Sequence, residues 1–346
     1  MKREQLLEAV GGVDESLLME SETAVSRRRL SFGRTALIAA IVAALAMTAA
    51  AASQLFFGLQ EGGNGATIEN LATGMGTFVY SDGYIYEGTT GCIKKYETTG
   101  KLLERIQLGD EKAIPRYMFA TEDAIVYIDT FSGLYVQPKD GAKTETVFDD
   151  MRMTMVYADG AQLYTTDGAD MLTRIDLMTM EKTELLQDVI SYYVDDTHIY
   201  AVQSGRGKYY MRSPKDVIAF EKIELDFDPN KVVVNGEDLY FCEWVDEEAR
   251  DEEAQRYRVN LVRDGVRTQL PVYSWFYQIL DHFVLYLEEG SNALKCYDLH
   301  TGQTKLLEDN VFEFSILEKR YICIDLMSTA SVILDWQTGE RVQLPE

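Results

Sequence analysis

The sequence predicts an all-β fold, a seven-bladed β-propeller, preceded by one transmembrane helix and a short cytoplasmic helical tail, and three observations predict it. A strand pattern centred on tyrosine recurs at Tyr86, Tyr127, Tyr164, Tyr200, Tyr240 and Tyr286, with Ile324 in the seventh place. The successive spacings of 41, 37, 36, 40, 46 and 38 average about 40, close to the ~40–45 residues of a four-stranded blade. Helical periodicity is scarce beyond residue 76, whereas Thr35 to Gln60 carries no charge and is largely apolar.

Composition bounds the function. Hydrophobic residues make up 46% of the 346, with 21 tyrosines and 14 phenylalanines, enough for a sizeable core and too many for a disordered chain. Against 33 basic side chains stand 57 acidic ones, a net charge of -24. Such a surface repels phosphate backbones, so nucleic acid is not an expected partner.

The elements follow in order. Residues 1–34 form a tail with Leu6, Leu7 and Val10, then Leu17 and Leu18 after Asp14, a pattern suited to two short amphipathic helices that need a cytoplasmic partner or the membrane surface. Residues 35–60 are long enough to span a bilayer. A cleavable signal peptide is the competing reading, since Ala49 to Ser53 offers small residues. The 34 residues before the apolar core exceed the length of most whole signal peptides, ~15–30 residues, which favours an uncleaved anchor. Arg27, Arg28, Arg29 and Arg34 precede the span and Glu61 is the first charge after it, so the N-terminus is expected in the cytoplasm and the C-terminal domain outside the cell. This layout resembles single-pass envelope proteins of Gram-positive bacteria, some of which are encoded beside extracytoplasmic-function sigma factors.

Residues 61–76 read as a linker around Gly62, Gly63, Asn64 and Gly65, and 77–346 as the propeller. Asp82-Gly83, Asp159-Gly160 and Asn235-Gly236 precede marker tyrosines and favour type I′ hairpins. A second turn follows at Gly100, Gly141, Gly302 and Gly339, and later, at Gly265, in the fifth blade. In the third and fourth blades Met180 and the Pro214 region take that place. The register runs from an inner strand near Phe78 to an outer strand near Val342, so no N-terminal strand is expected in the last blade, with residues 66–70 as the alternative source of one. Leu163-Tyr164-Thr165-Thr166-Asp167 with Ile175-Asp176-Leu177 resembles the Tyr-Trp-Thr-Asp repeat of lipoprotein-receptor-like propellers. Tyr297-Asp298-Leu299-His300-Thr301-Gly302 is similar to the turn of quinoprotein-like repeats. Both imply a propeller over 77–346 and carry over no ligand residue.

Candidate chemistry is sparse. His198, His282 and His300 fall in predicted turns on one face and are expected to be structural or surface groups. Cys92, Cys242, Cys296 and Cys323 lie on separate blades without Cys-x-x-Cys spacing, which suggests buried free thiols. Asp226 to Glu237 imitates a calcium loop, yet Lys231 stands where glycine is needed, so a connecting loop is expected. Met151, Met153 and Met155 alternate as core packing would, and the acidic run Glu243 to Glu253 reads as a solvated insertion. No metal, cofactor or catalytic residue is assigned.

The best binding candidates are the aromatic and basic residues entering the blades: Arg116, Tyr117, Arg152, Tyr192, Trp275 and Tyr277. The expected function is a membrane-anchored extracytoplasmic binding, sensing or scaffold protein that recognises a peptide, glycan or envelope protein. The alternative is a cell-wall-directed hydrolase or lyase with two carboxylates at the ring mouth. Protease treatment of intact cells carrying tags at both ends should remove the C-terminal tag and spare a membrane-bound N-terminal one. A protected C-terminal tag would invert the topology, and propeller freed into the medium would make Ala49 to Ser53 a cleavage site.

Overall fold

Seven four-stranded antiparallel sheets, each made of consecutive strands, account for all 28 strands of the described residues. The computed structural model describes residues 76–120, 123–129, 133–149, 156–159, 162–166, 170–176, 179, 181–205, 207–245, 257–328 and 330–345. The blades span 78–107, 115–149, 156–186, 189–223, 229–273, 277–308 and 311–343. The tail, the apolar segment, the linker to residue 75, Arg152, the three alternating methionines and the acidic insertion from Asp246 onward lie outside the described residues. Among the described residues no helix is long and apolar enough to cross a membrane.

All seven markers sit on second strands and all are buried. The first strand of blade 1, Phe78–Ser81, touches the first strands of blade 2 and blade 7, so these strands line the centre and the ring closes on itself. As the register predicts, the last blade is complete without an N-terminal strand.

Alternation explains why the strands are apolar on both faces. Successive side chains point to opposite sides of a sheet, and each blade is covered on both sides by its neighbours. In blade 1, Val79, Tyr86 and Ile93 pack with Met118 and Tyr127 of blade 2. Their sequence neighbours Phe78 and Ile85, with Tyr96, pack instead with Leu317, Tyr321, Cys323 and Ile333 of blade 7. Blade 7 in turn gives Ile316, Ile322 and Ile324 to blade 6. Each such large side chain contributes roughly 1.5–3 kcal/mol on full burial. All four cysteines are free and buried, as their spacing suggested.

Among the described residues the turn chemistry holds with one correction, while Gly160 and Met180 lie outside them. Asp82 and Gly83 both have positive φ, 54° and 84°, the type I′ requirement. Asn235 instead stays in its strand opposite Asp238, and the two-residue loop is Gly236-Glu237 with φ positive at the glycine alone, which is type II′ chemistry. The Asn235 side chain donates to the Asp281 carbonyl of blade 6 at 2.8 Å, which anchors the hairpin to its neighbour. Val232 to Val234 lie inside the strand Pro229–Asn235, so the calcium-like spacing is a connection running into a strand.

Gly100 and Gly141 occupy the same turn in blades 1 and 2, at φ 78° and 80°. A Cβ on Gly100 would fall well inside the contact radius of Val342 of blade 7, whereas one on Gly141 would meet nothing within 4 Å. Gly100→Ala and Gly141→Ala should share a backbone strain of ~1 kcal/mol. Gly100→Ala alone should lose a further ~1–3 kcal/mol from overpacking, read as the difference in urea unfolding free energy. Equal losses would remove this contact from the closure of the ring.

Candidate functional site

In an antiparallel blade alternate connections fall on alternate faces. The segments entering each first strand therefore share one face with the loops between second and third strands. On this mouth face lies a cavity of about 220 Å³ lined by Phe276, Leu287, Phe312, Glu313, Phe314 and Met327. Phe276, at the entry to blade 6, Phe312, in the inner strand of blade 7, and Met327, after its second strand, are 48%, 46% and 54% exposed. Large apolar side chains so exposed around a concavity make this the candidate binding surface. Trp244 adds a fourth on this face, at the base of the acidic insertion, its ring edge-on to Tyr257, which packs in turn on Trp275.

Near the start of three inner strands stands an ionisable side chain: Arg116 in blade 2, Lys231 in blade 5 and Glu313 in blade 7. The inner strand of blade 2 carries a bulge between Arg116 and Phe119, with Tyr117 at φ 46°. A bulky residue there marks local strain, and such bulges re-aim side chains. Arg116 Nη1 lies 3.7 Å from Glu313 Oε2 across the ring. Lys231 is buried, donates to the Trp275 carbonyl at 3.0 Å and lies 4.9 Å from the centre of the Tyr277 ring. Burial lowers its pKa to about 8.

Glu313 begins a polar chain that runs into the joint between blades 7 and 1. The Thr77 hydroxyl donates to Asp325 Oδ2 at 2.8 Å and lies 3.4 Å from Glu313 Oε1. Ser331 Oγ sits 2.7 Å from Asp325 Oδ1 and 2.6 Å from Glu87 Oε1. Tyr96 donates to Glu87 Oε2 at 2.8 Å, with Lys94 3.4 Å from the same oxygen. A hydroxyl has one proton, so Ser331 satisfies both carboxyl groups only if one of them supplies a proton itself. Burial, with Asp325 adding to it, pushes Glu313 up to about 8, and burial also raises Asp325. Glycosidase chemistry asks for one protonated and one ionised carboxyl facing a common cavity. Here both oxygens of Asp325 are engaged by hydroxyls and both acids are raised, the character of a proton-sharing seam.

The predicted site residues divide. Arg116 and Trp275 reach the mouth. Tyr192 and Tyr277 are core: the Tyr192 hydroxyl donates to the Tyr164 carbonyl at 2.8 Å and that of Tyr277 to the Tyr240 carbonyl at 3.1 Å. Each thus ties an inner strand to the marker tyrosine of the preceding blade. Tyr117 is also buried, and Arg152 lies outside the described residues. Phe312, Glu313 and Met327 escaped the sequence reading, although an acid inside the apolar run Val311–Leu317 was a visible signal.

A second concavity, about 320 Å³, lies beside the outer strands of blade 4, where Lys222 pairs with Glu224 and packs over Tyr209. It reaches Pro229, at the start of the inner strand of blade 5, and none of its lining aromatics is exposed.

No family model matches the sequence, and neither does any curated protein. Among solved structures the fold is similar to the tricorn protease, with a TM-score of 0.60 and 9% identity over 81% of this chain and 34% of that one. The chain therefore spans about a third of that protein's length. It is also similar to the N-terminal domain of Nup159, TM-score 0.53 and 12% identity over 80% of this chain and 91% of that one. The WD40 domain of Neurospora crassa Pan2 gives 0.53 and 10% over 76% and 89%. The chain is a seven-bladed β-propeller, and a WD40 domain is among the structures that share its fold. Identities this low speak to fold alone.

Glu313 makes the mouth sensitive to pH. Below about pH 4.5 the carboxyl is protonated whether the chain is folded or not, and between there and about 8 only the folded chain retains the proton. Its contribution to stability therefore falls as pH rises through that window and levels off above it. Relative to wild type, Glu313→Gln should gain on the order of a few kcal/mol between about pH 5 and pH 8, read from urea midpoints. Parallel pH profiles would show that Glu313 does not hold its proton there.

Proposed function

We propose that this chain is a single-pass binding protein of the cell envelope, of the Gram-positive kind its layout resembles, whose propeller stands outside the cell and captures a basic peptide segment of a partner protein. The observation that carries the reading is the cavity ringed by the exposed side chains of Phe276, Phe312 and Met327. An apolar partner side chain would fill it, displacing water from three large surfaces held in place by adjoining blades. The choice of a basic partner follows from the net charge of -24, all of which falls beyond residue 34, where acidic and basic groups before it cancel at six each. That field steers cationic segments toward the ring and weakens with salt. The uncharged run from Thr35 to Gln60 behind four arginines supports the anchored setting.

Selection of a random displayed peptide library on the full chain should enrich sequences that combine Lys or Arg with a large apolar residue. Phe312→Asp, a substitution of an exposed side chain, should weaken the selected peptides at least tenfold, about 1.4 kcal/mol, and raising the salt should weaken them further. An acidic consensus, or affinity untouched by Phe312→Asp, would sink this reading.

A further inference from the structure

On the opposite face of blade 6 two tight turns lie side by side. One is Asp281-His282, between the strands Tyr277–Leu280 and Phe283–Leu287, with Asp281 at φ 55°. The other runs from Asp298 to Gly302, after the strand Leu294–Asp298. Phe283 pairs in register with Asp298, and the Leu299 amide donates to the His282 carbonyl at 3.0 Å, so the two turns are fixed to one another. The Asp298 carboxylate is fixed as well, because its Oδ1 accepts from the amides of His300 at 2.8 Å and Thr301 at 3.2 Å.

This framework brings two of the chain's three histidines together. The His282 and His300 rings stack 4.1 Å apart and 10° from parallel, and His282 Nε2 lies 3.9 Å from Asp298 Oδ1. One ligand atom from each of His282, Asp298 and His300 lies within 4.8 Å of the others. We propose that these three residues form a site for a first-row divalent metal ion, zinc foremost.

The distances suit that role. Ligand bonds of about 2.0–2.1 Å place the donor atoms of a tetrahedral ion about 3.3 Å apart. His282 Nε2 and Asp298 Oδ1, 3.9 Å apart, need to close by roughly 0.6 Å, the other separations, all within 4.8 Å, by at most roughly 1.5 Å, and the stacked rings need to tilt so that their lone pairs converge. Phe283 packs 3.9 Å from the His282 ring, with Trp336 of blade 7 edge-on behind it at 5.0 Å. That aromatic shelf limits the orientations His282 samples, the task outer residues perform around metal ligands. Two imidazoles and one carboxylate select zinc, nickel, cobalt or copper over calcium and magnesium, which favour all-oxygen shells. Three protein ligands leave a fourth position open, for water or for a donor from another molecule.

Mere stacking of His300 on a His282 ring held by Phe283 is the competing account, and metal titration separates the two. The full-length chain without an affinity tag is titrated with Co²⁺, followed by its visible absorption, and with Zn²⁺, followed by calorimetry and thermal unfolding. Binding of one equivalent is expected, with a rise in melting temperature on adding Zn²⁺. His282→Gln and His300→Gln should each weaken it at least tenfold while leaving the metal-free melting curve in place, and Asp298→Asn, which keeps the turn acceptor, should weaken it less. His198→Gln, on blade 4, should change nothing. Absence of saturable binding below about 1 mM, or binding that survives both His282→Gln and His300→Gln, would overturn the proposal.

Discussion

Closure of the ring without a shared strand is the constraint on which the rest of the structure depends. Every blade takes its four strands from one continuous stretch of chain. Six of the seven joints are therefore crossed by a covalent connection, and the joint between blades 7 and 1 is not. What holds it is side-chain contact: the apolar group of Phe78, Ile85, Tyr96, Leu317, Tyr321, Cys323, Ile333 and Leu344, and the chain of hydroxyls and carboxyls from Thr77 to Glu87. The apolar part supplies the free energy. The polar part fixes register, because a displaced blade would leave buried carboxyl groups without their partners, at a penalty larger than the bonds gained.

The same joint shapes the mouth. Thr77 enters blade 1 beside Glu313 and Asp325 of blade 7, so one of the carboxyl groups that close the ring, Glu313, also lines the cavity. Elsewhere around the ring the inner strands use a different tie, with tyrosine hydroxyls of blades 4 and 6 reaching the marker carbonyls of blades 3 and 5. Neutral hydroxyl-to-carbonyl bonds of this kind bury no charge, although Lys231 of blade 5 also reaches the Trp275 carbonyl, whereas the closing joint concentrates carboxyl groups on one sector of the mouth. The ring is nearly symmetric in backbone and strongly asymmetric in chemistry.

That asymmetry decides what the sequence disclosed. The fold was legible because it is repeated: the spacing of Tyr86 and its counterparts, the Asp82-Gly83 hairpin and the turn glycines each report a local rule applied many times. The site was legible only in part. Tyr192 and Tyr277 carry the same residue type in the same inner-strand context whether the ring lines the channel or packs between blades, and alternation alone does not settle which side each one faces. Glu313 left a better trace, an acid within a buried strand, and Glu87 and Asp325 left another, since each directly follows a marker position where the other blades carry apolar residues or threonine. His282 and His300 were placed on one face by their turns, but the pairing of Phe283 with Asp298 that brings the two turns side by side is a matter of register.

A propeller with identities of 9–12% to its structural neighbours inherits no ligand from them, so a candidate site is sought in the sectors where the repeat is broken. The cavity borders Phe276 of blade 6, Phe312 of blade 7 and Gly76, the residue that leads into blade 1. An occupant therefore touches both sides of the one joint that no covalent connection crosses. Because anything that binds only the closed ring adds its binding free energy to the stability of that ring, occupancy of the mouth and closure of the propeller are thermodynamically linked. The raised Glu313 carboxyl extends the linkage to protons, since a bound donor or cation near its oxygens would favour the ionised form. The proposed recognition surface, ring closure and a raised carboxyl thus meet at one seam, a consequence of asking side chains alone to complete the circle.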